Sequence, residues 1–89
     1  MQIVFHKNFN KKYFKLKKNE KEKFKERLNL FISNPFNPIL NNHALSGKYL
    51  SRRSINITGD LRVIFKIVNY INGDTILFTE IDTHSNLYD

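Results

Sequence analysis

Three histidines, His6, His43 and His84, are the side chains of this 89-residue chain best suited to moving a proton near neutral pH, with Asp60, Glu80, Asp82 and Tyr88 in support. The carboxylates stand singly, so no paired-carboxylate chemistry is indicated. Cysteine is absent, which removes a thiol nucleophile, a thiolate zinc site and a disulfide framework together. The histidines keep no metal-ligand spacing, neither His-x-x-x-His nor His-Glu-x-x-His, and no metal site is expected. Three glycines form no phosphate-cradling loop, and no Gly-x-Ser-x-Gly elbow occurs, so neither a nucleotide cofactor nor hydrolase-elbow chemistry is expected. The remaining set, basic side chains with dispersed His and Tyr near strand ends, permits RNA cleavage without a metal. In that chemistry a base takes the proton of a 2′-hydroxyl, cations hold the charge on phosphorus, and an acid protonates the departing 5′-oxygen.

Fifteen Lys and Arg against eight Asp and Glu leave a formal charge of +7, a field that draws polyanions: nucleic acid, an acidic protein or an anionic membrane face. Ten of the fifteen lie between residues 7 and 27, mostly off the apolar positions, where they form a Lys-rich face that suits solubility and RNA binding equally. High Lys, Asn and Ile usage also fits a base-composition bias of the source genome. At 40% hydrophobic and 13% aromatic, with eight Phe, residues 1–89 can bury the core of one domain, and intrinsic disorder is excluded. No apolar run reaches the roughly 18–20 residues of a membrane span, and MQIVFHKNF carries no signal-peptide core. A soluble cytoplasmic protein is expected.

The elements that must position these groups are readable from pattern. Residues 2–6 predict a short β-branched strand, after which Asn8 caps a helix carrying Phe9, Tyr13 and Leu16 on one face. Asn19 with Glu22 resembles a capping box, and Phe24, Leu28, Phe31 and Ile32 continue a helical stripe until Asn34-Pro35 stops it. PFNPILNN, residues 35–42, reads as an ordered loop. Residues 48–57, 61–69 and 75–82 predict three antiparallel strands, separated by Thr58-Gly59-Asp60 and by a type I′ turn at Asn72-Gly73. In the middle strand Leu61, Val63, Phe65 and Ile67 form a wholly apolar face that should meet the helices. The expected fold is α+β, β-α-α-β-β-β, a mainly antiparallel sheet with two N-terminal helices on one face.

The stretch from His43 to Lys66, HALSGKYLSRRSINITGDLRVIFK, with the ending IDTHSNLYD, resembles the RelE/ParE superfamily of bacterial type II toxins, and its YafQ-like group most. The resemblance covers the whole layout and is most specific in H-x-L-x-G, G-D-x-R-V-I and T-H-x-x-L-Y. It implies an RNase that cuts messenger RNA in the ribosomal A site, needs no cofactor, and is held inactive by a cognate antitoxin whose acidic segment covers a basic cleft. It also implies catalytic roles for His43, His84, Asp60 and Tyr88, and phosphate binding by Lys48, Arg52, Arg53 and Arg62. Arg52 and Arg53 alternate along a strand, so at most one faces a common site.

Three positions depart from the group: Asn56 stands where a His is usual, Leu61 where a Trp is, and Glu80 where an Arg is. Asn cannot move a proton at neutral pH and a carboxylate repels phosphate, so a catalytically weakened toxin that still binds its antitoxin stays open. So does a ParE-like inhibitor of DNA gyrase on the same fold. Local roles compete with chemistry as well: His43 suits tying down the Asn-rich loop, Asp60 suits its turn, His84 suits a strand end, and His6 suits a structural place.

Overall fold

The computed structural model describes residues 1–70 and 73–88. Among them the chain forms β1 (Gln2–Phe5), α1 (Lys7–Phe14), α2 (Lys18–Ser33), β2 (His43–Ala44), β3 (Arg53–Asn56), β4 (Leu61–Tyr70), β5 (Gly73–Thr83) and α3 (His84–Tyr88), with 3-10 turns at Pro38–Leu40 and Gly47–Tyr49. The sheet order is β1-β5-β4-β3-β2. Among the described residues only the β1–β5 pair, running from Gln2↔Thr75 to Phe5↔Phe78, is parallel. This is the α+β architecture expected, extended by the two-residue β2 and the terminal α3, and no helix among the described residues is long and apolar enough to cross a membrane.

The local differences have physical causes. β1 ends at Phe5 because His6 is the cap of α1: its backbone is extended and its Nδ1 accepts the Asn8 N–H at 3.0 Å. The expected cap Asn8 therefore lies inside the helix. In α2 the Glu20 carboxylate accepts the Lys17 N–H at 2.9 Å, so the helix starts ahead of the expected Asn19–Glu22 box. The strand expected over 48–57 shrinks to Arg53–Asn56 because Gly47 (φ 64) and Ser51 (φ 71) both take left-handed backbone, which no strand accommodates. Of the expected Asn72-Gly73 turn, Asn72 lies outside the described residues, while Gly73 pairs with Tyr70.

Phenylalanine fills the space between helices and sheet. Phe78, fully buried on β5, has its ring 5.6 Å from Phe5, 5.8 Å from Phe9, 6.2 Å from Phe24, and 5.8 Å from both Phe31 and Phe65. Leu61, Val63 and Phe65 of β4 join it as expected. Ile67 does not: it is 51% exposed along an open cleft of about 410 Å3 beside Phe31, Pro35 and Phe36. Ile32, 52% exposed, also leaves the expected stripe, since Phe31 takes the inward position and the next residue is turned about 100° away.

Between Ile64↔Glu80 and Phe65↔Phe78 the register slips by one residue, leaving Thr79 without a partner as a β-bulge. Strict alternation sends two residues three apart to opposite faces, yet Phe78 and Ile81 are both in the core. The extra residue reconciles them. It also turns Glu80 and Asp82 to the face opposite the helices, level with Ile64 and Arg62. Thr79 is buried, and its hydroxyl donates to the Ile64 carbonyl at 3.2 Å while accepting from Arg52 at 3.2 Å.

Truncating the central ring tests this account of the core. Phe78→Ala is expected to cost about 3–5 kcal/mol, a large share of what a domain this small holds, read as a fall in the urea midpoint. A loss below about 1 kcal/mol would show that the ring cluster is not the core's centre.

Candidate active site

On the face opposite the helices, His43, Arg62, His84 and Tyr88 converge on one open pocket of about 320 Å3, with Asn41, Leu45 and Ser54 completing its wall. Three elements deliver them: β2 brings His43, β4 brings Arg62, and α3 brings His84 and Tyr88, whose rings lie 4.8 Å apart. The register carries His43 beside Ser54 and Ser54 beside Ile64, so β3 forms the pocket floor.

Each chemical group is held by a local device. Asn41 caps the Pro38–Leu40 turn in left-handed backbone (φ 47), a conformation Asn tolerates better than other residues with a side chain, and its carbonyl lies 2.7 Å from Nδ1 of His43. A carbonyl only accepts, so Nδ1 carries the proton and Nε2 holds the lone pair. One guanidinium nitrogen of Arg62 donates to the carbonyls of Thr58 at 2.9 Å and Leu61 at 3.4 Å, anchoring the side chain on the β3–β4 turn. His84 opens α3, its N–H donating to the Asp60 carbonyl at 3.0 Å, and the Thr83 hydroxyl accepts the Asn86 N–H at 3.2 Å. Asp82 ties that helix down by accepting from Thr83 at 2.8 Å, from the Asn86 amide at 2.9 Å and from Lys12 of α1 at 3.0 Å.

The remaining sequence candidates fall elsewhere. Asp60 is exposed in its turn, and its hydrogen bonds run through the backbone, to His84 and to the Thr58 hydroxyl, rather than from its carboxylate into the pocket wall. Lys48 stands over the Tyr49 ring at 5.1 Å, outside the pocket's lining. Arg53 goes to the helix side, donating to Asn42 at 2.8 Å and covering Phe36. Arg52 and Glu80 line a second cavity of about 220 Å3 with His6, Lys66, Leu77 and Thr79. Leu61 is 2% exposed in the core, and the side-chain Oδ1 of Asn56 is buried without a partner among the described residues, beside a hollow lined by Lys23 and Arg27. The described residues bring no three His, Cys, Asp or Glu side chains into a metal-holding group.

Two residues escaped the sequence reading. Tyr49 lies in what resembled a strand, but the 3-10 turn after Gly47 sets its ring edge-on to Tyr88 at 5.8 Å. Burial above all, and then the Glu80 carboxylate and Tyr88, push its phenol above the ordinary value. Ser54 is the other: its hydroxyl is fully buried in the pocket wall with no partner among the described residues. A Gly before an aromatic was the available signal for Tyr49; for Ser54 there was none.

The sequence model of one family, described as bacterial toxin of type II toxin-antitoxin system, YafQ, matches residues 1–89. Among solved structures the chain is similar to YafQ from E. coli strain BL21(DE3), with a TM-score of 0.80 and 21% identity over 99% of this chain and 98% of that one. It is similar also to the E. coli DinJ-YafQ toxin-antitoxin complex, with a TM-score of 0.76 and 21% identity over 99% of this chain and 97% of that one. A YoeB/ParE toxin from Agrobacterium tumefaciens gives a TM-score of 0.74 and 16% identity over 94% of this chain and 99% of that one. At such identities the structural likeness is one of fold. No curated protein matches the chain.

Two outcomes follow from the site's packing. Ser54→Ala removes a buried hydroxyl that has no partner, and is expected to raise stability by about 1 kcal/mol in urea unfolding; a loss instead would mean that the hydroxyl is bonded. For Asp82, burial acts to raise the pKa, but the donors Asn86, Thr83 and Lys12 outweigh it and hold the carboxyl below its ordinary value. A depressed carboxyl adds stability that is present above its unfolded pKa near about 4 and is lost as pH falls through the lower folded value. Asp82→Asn is therefore expected to flatten the acid limb of the stability profile, measured by thermal melts across the acid range; an unchanged limb would contradict it.

Proposed function

The chain belongs to the YafQ family of toxins of bacterial type II toxin-antitoxin systems, and from that premise we propose that it is an endoribonuclease cutting ribosome-bound mRNA in the A site by acid–base catalysis without a metal. The observation that carries this reading is the convergence of His43, Arg62, His84 and Tyr88 on one pocket. Two imidazoles, a guanidinium and an aromatic ring are the set that phosphodiester transfer asks for.

In this mechanism Nε2 of His43, left basic by the Nδ1–H···O bond to Asn41, takes the proton of the 2′-hydroxyl. The 2′-oxygen attacks phosphorus, giving a 2′,3′-cyclic phosphate as the bond from phosphorus to the 5′-oxygen breaks, and His84 delivers a proton to that leaving oxygen. Arg62 pairs with the non-bridging oxygens, whose charge grows in the transition state. Tyr88 stacks on a neighbouring base, with Lys48 drawing the backbone toward the rim. The Asp60 carbonyl sets where His84 begins its helix, a positioning role.

Regulation follows from charge. A toxin of formal charge +7 is suited to an antitoxin with an acidic segment laid over the cationic pocket. Solved proteins of similar fold are found with antitoxins: one structure is the E. coli DinJ-YafQ toxin-antitoxin complex, and another is the toxin-antitoxin complex RelBE2 from Mycobacterium tuberculosis.

Purified protein added to ribosomes programmed with a defined mRNA is expected to create new RNA ends inside the A-site codon, mapped by primer extension. His84→Ala is expected to slow their appearance by about 100-fold or more while keeping the wild-type circular dichroism. Undiminished cleavage by the folded variant would remove His84 from the mechanism. Intact mRNA with the wild-type protein would overturn the nuclease reading and move attention to DNA cleavage by gyrase.

A further inference from the structure

Ile64 divides two hollows on the face opposite the helices: Ser54, its partner on β3, lines the catalytic pocket, and Glu80, its partner on β5, lines the second cavity. That second cavity, about 220 Å3, is smaller than the roughly 300–1,000 Å3 of sites for drug-sized ligands and suits a single planar ring system. Its charged lining is mixed. Arg52 and Lys66 offer donors and Glu80 offers two acceptor oxygens, yet among the described residues none of the three forms a salt bridge with another. Arg52 is instead steadied by Thr79, the bulge residue.

A carboxylate at this place repels phosphate, so the cavity is not a second backbone site. It fits a neutral ligand that presents paired donors on one edge and paired acceptors on another. Guanine does so: N1–H and the N2 amino group sit side by side for a carboxylate, while O6 and N7 accept from cations. Adenine, cytosine and uracil lack the adjacent donor pair. The route for a base is furnished by aromatics, since Tyr88 in the catalytic pocket meets Tyr49 edge-on at 5.8 Å. Tyr49 in turn feels the Glu80 carboxylate.

We propose that Glu80, with Arg52 and Lys66, forms a guanine-reading subsite beside the pocket that holds the scissile phosphate, so that this chain selects codons by a guanine. The inference rests on the nuclease reading for its biological meaning. It gives Glu80, which stands where the resemblance leads one to expect an arginine, a role in specificity rather than a defect in catalysis.

The test separates binding from cleavage. Short 2′-O-methyl RNA oligonucleotides cannot be cut, because the 2′-oxygen has no proton to give. Versions carrying guanine, inosine or adenine at each codon position in turn are titrated against the purified protein by fluorescence anisotropy. The guanine oligonucleotide is expected to bind at least about fivefold tighter than the adenine one at one position, with inosine, which lacks the N2 amino group, falling between. Glu80→Gln, which replaces one acceptor oxygen by a donor, is expected to erase that preference. Equal affinity for all three, no binding of any, or a preference that survives in Glu80→Gln overturns the proposal. Primer extension on ribosomes programmed with matching guanine and adenine codons is run alongside. A guanine preference in binding without cleavage of any message sinks the nuclease reading and leaves the subsite standing; cleavage indifferent to guanine does the reverse.

Discussion

The single extra residue at Thr79 governs which groups can meet. Without it β5 would present Glu80, Asp82 and the approach to His84 to the helices, and Ile81 to the other face. With it, the same strand supplies Phe78 to the core and Asp82 to the anchorage of α3. The bulge is maintained because Thr79 is buried with its hydroxyl engaged on both sides, by the Ile64 carbonyl and by Arg52. Loss of those bonds would leave a polar group unsatisfied in the sheet, at a cost of about 1–3 kcal/mol.

From that constraint the pocket is assembled out of segments that are remote in the chain. His43 arrives on a two-residue strand, and His84 on a five-residue helix. Neither element is long enough to hold itself, so each is tied to a turn carbonyl: the His43 ring to that of Asn41, the His84 N–H to that of Asp60. Carbonyls of turn residues thus orient the His43 imidazole and fix the start of the helix that carries His84. The three departures from the family pattern also take distinct positions. Leu61 is absorbed into the core, Asn56 sits at the edge by Lys23 and Arg27, and Glu80 lies across Ile64 from the histidines.

Long-period features were legible in the sequence and short ones were not. The stripe of Phe24, Leu28 and Phe31 and the alternation from Leu61 to Phe65 announced α2 and β4, because many residues vote for one period. Two residues of β2 cannot show a period, and a bulge cancels the alternation by which a strand is read. The cap of α1 was missed because histidine is not among the usual capping types, although its ring nitrogen accepts as an Asn oxygen would. The motifs around His43, Asp60 and His84 pointed to segments that the fold brings together. What they lacked was direction: only the register shows that Arg53 faces the helices while Ser54 faces the histidines.

The parallel pairing of β1 with β5 joins residues as far apart as Gln2 and Thr75. During synthesis β1 therefore has no partner until nearly all of the other elements have been made, and the Phe5 and Phe9 rings wait for Phe78. Contacts of such sequence separation close late and slowly. His84 and Tyr88 come after β5, so the pocket is completed later than the strands of the sheet. A protein of this topology is therefore without its pocket for as long as its sheet is unfinished, and the site exists only once the first strand and the fifth have closed on each other.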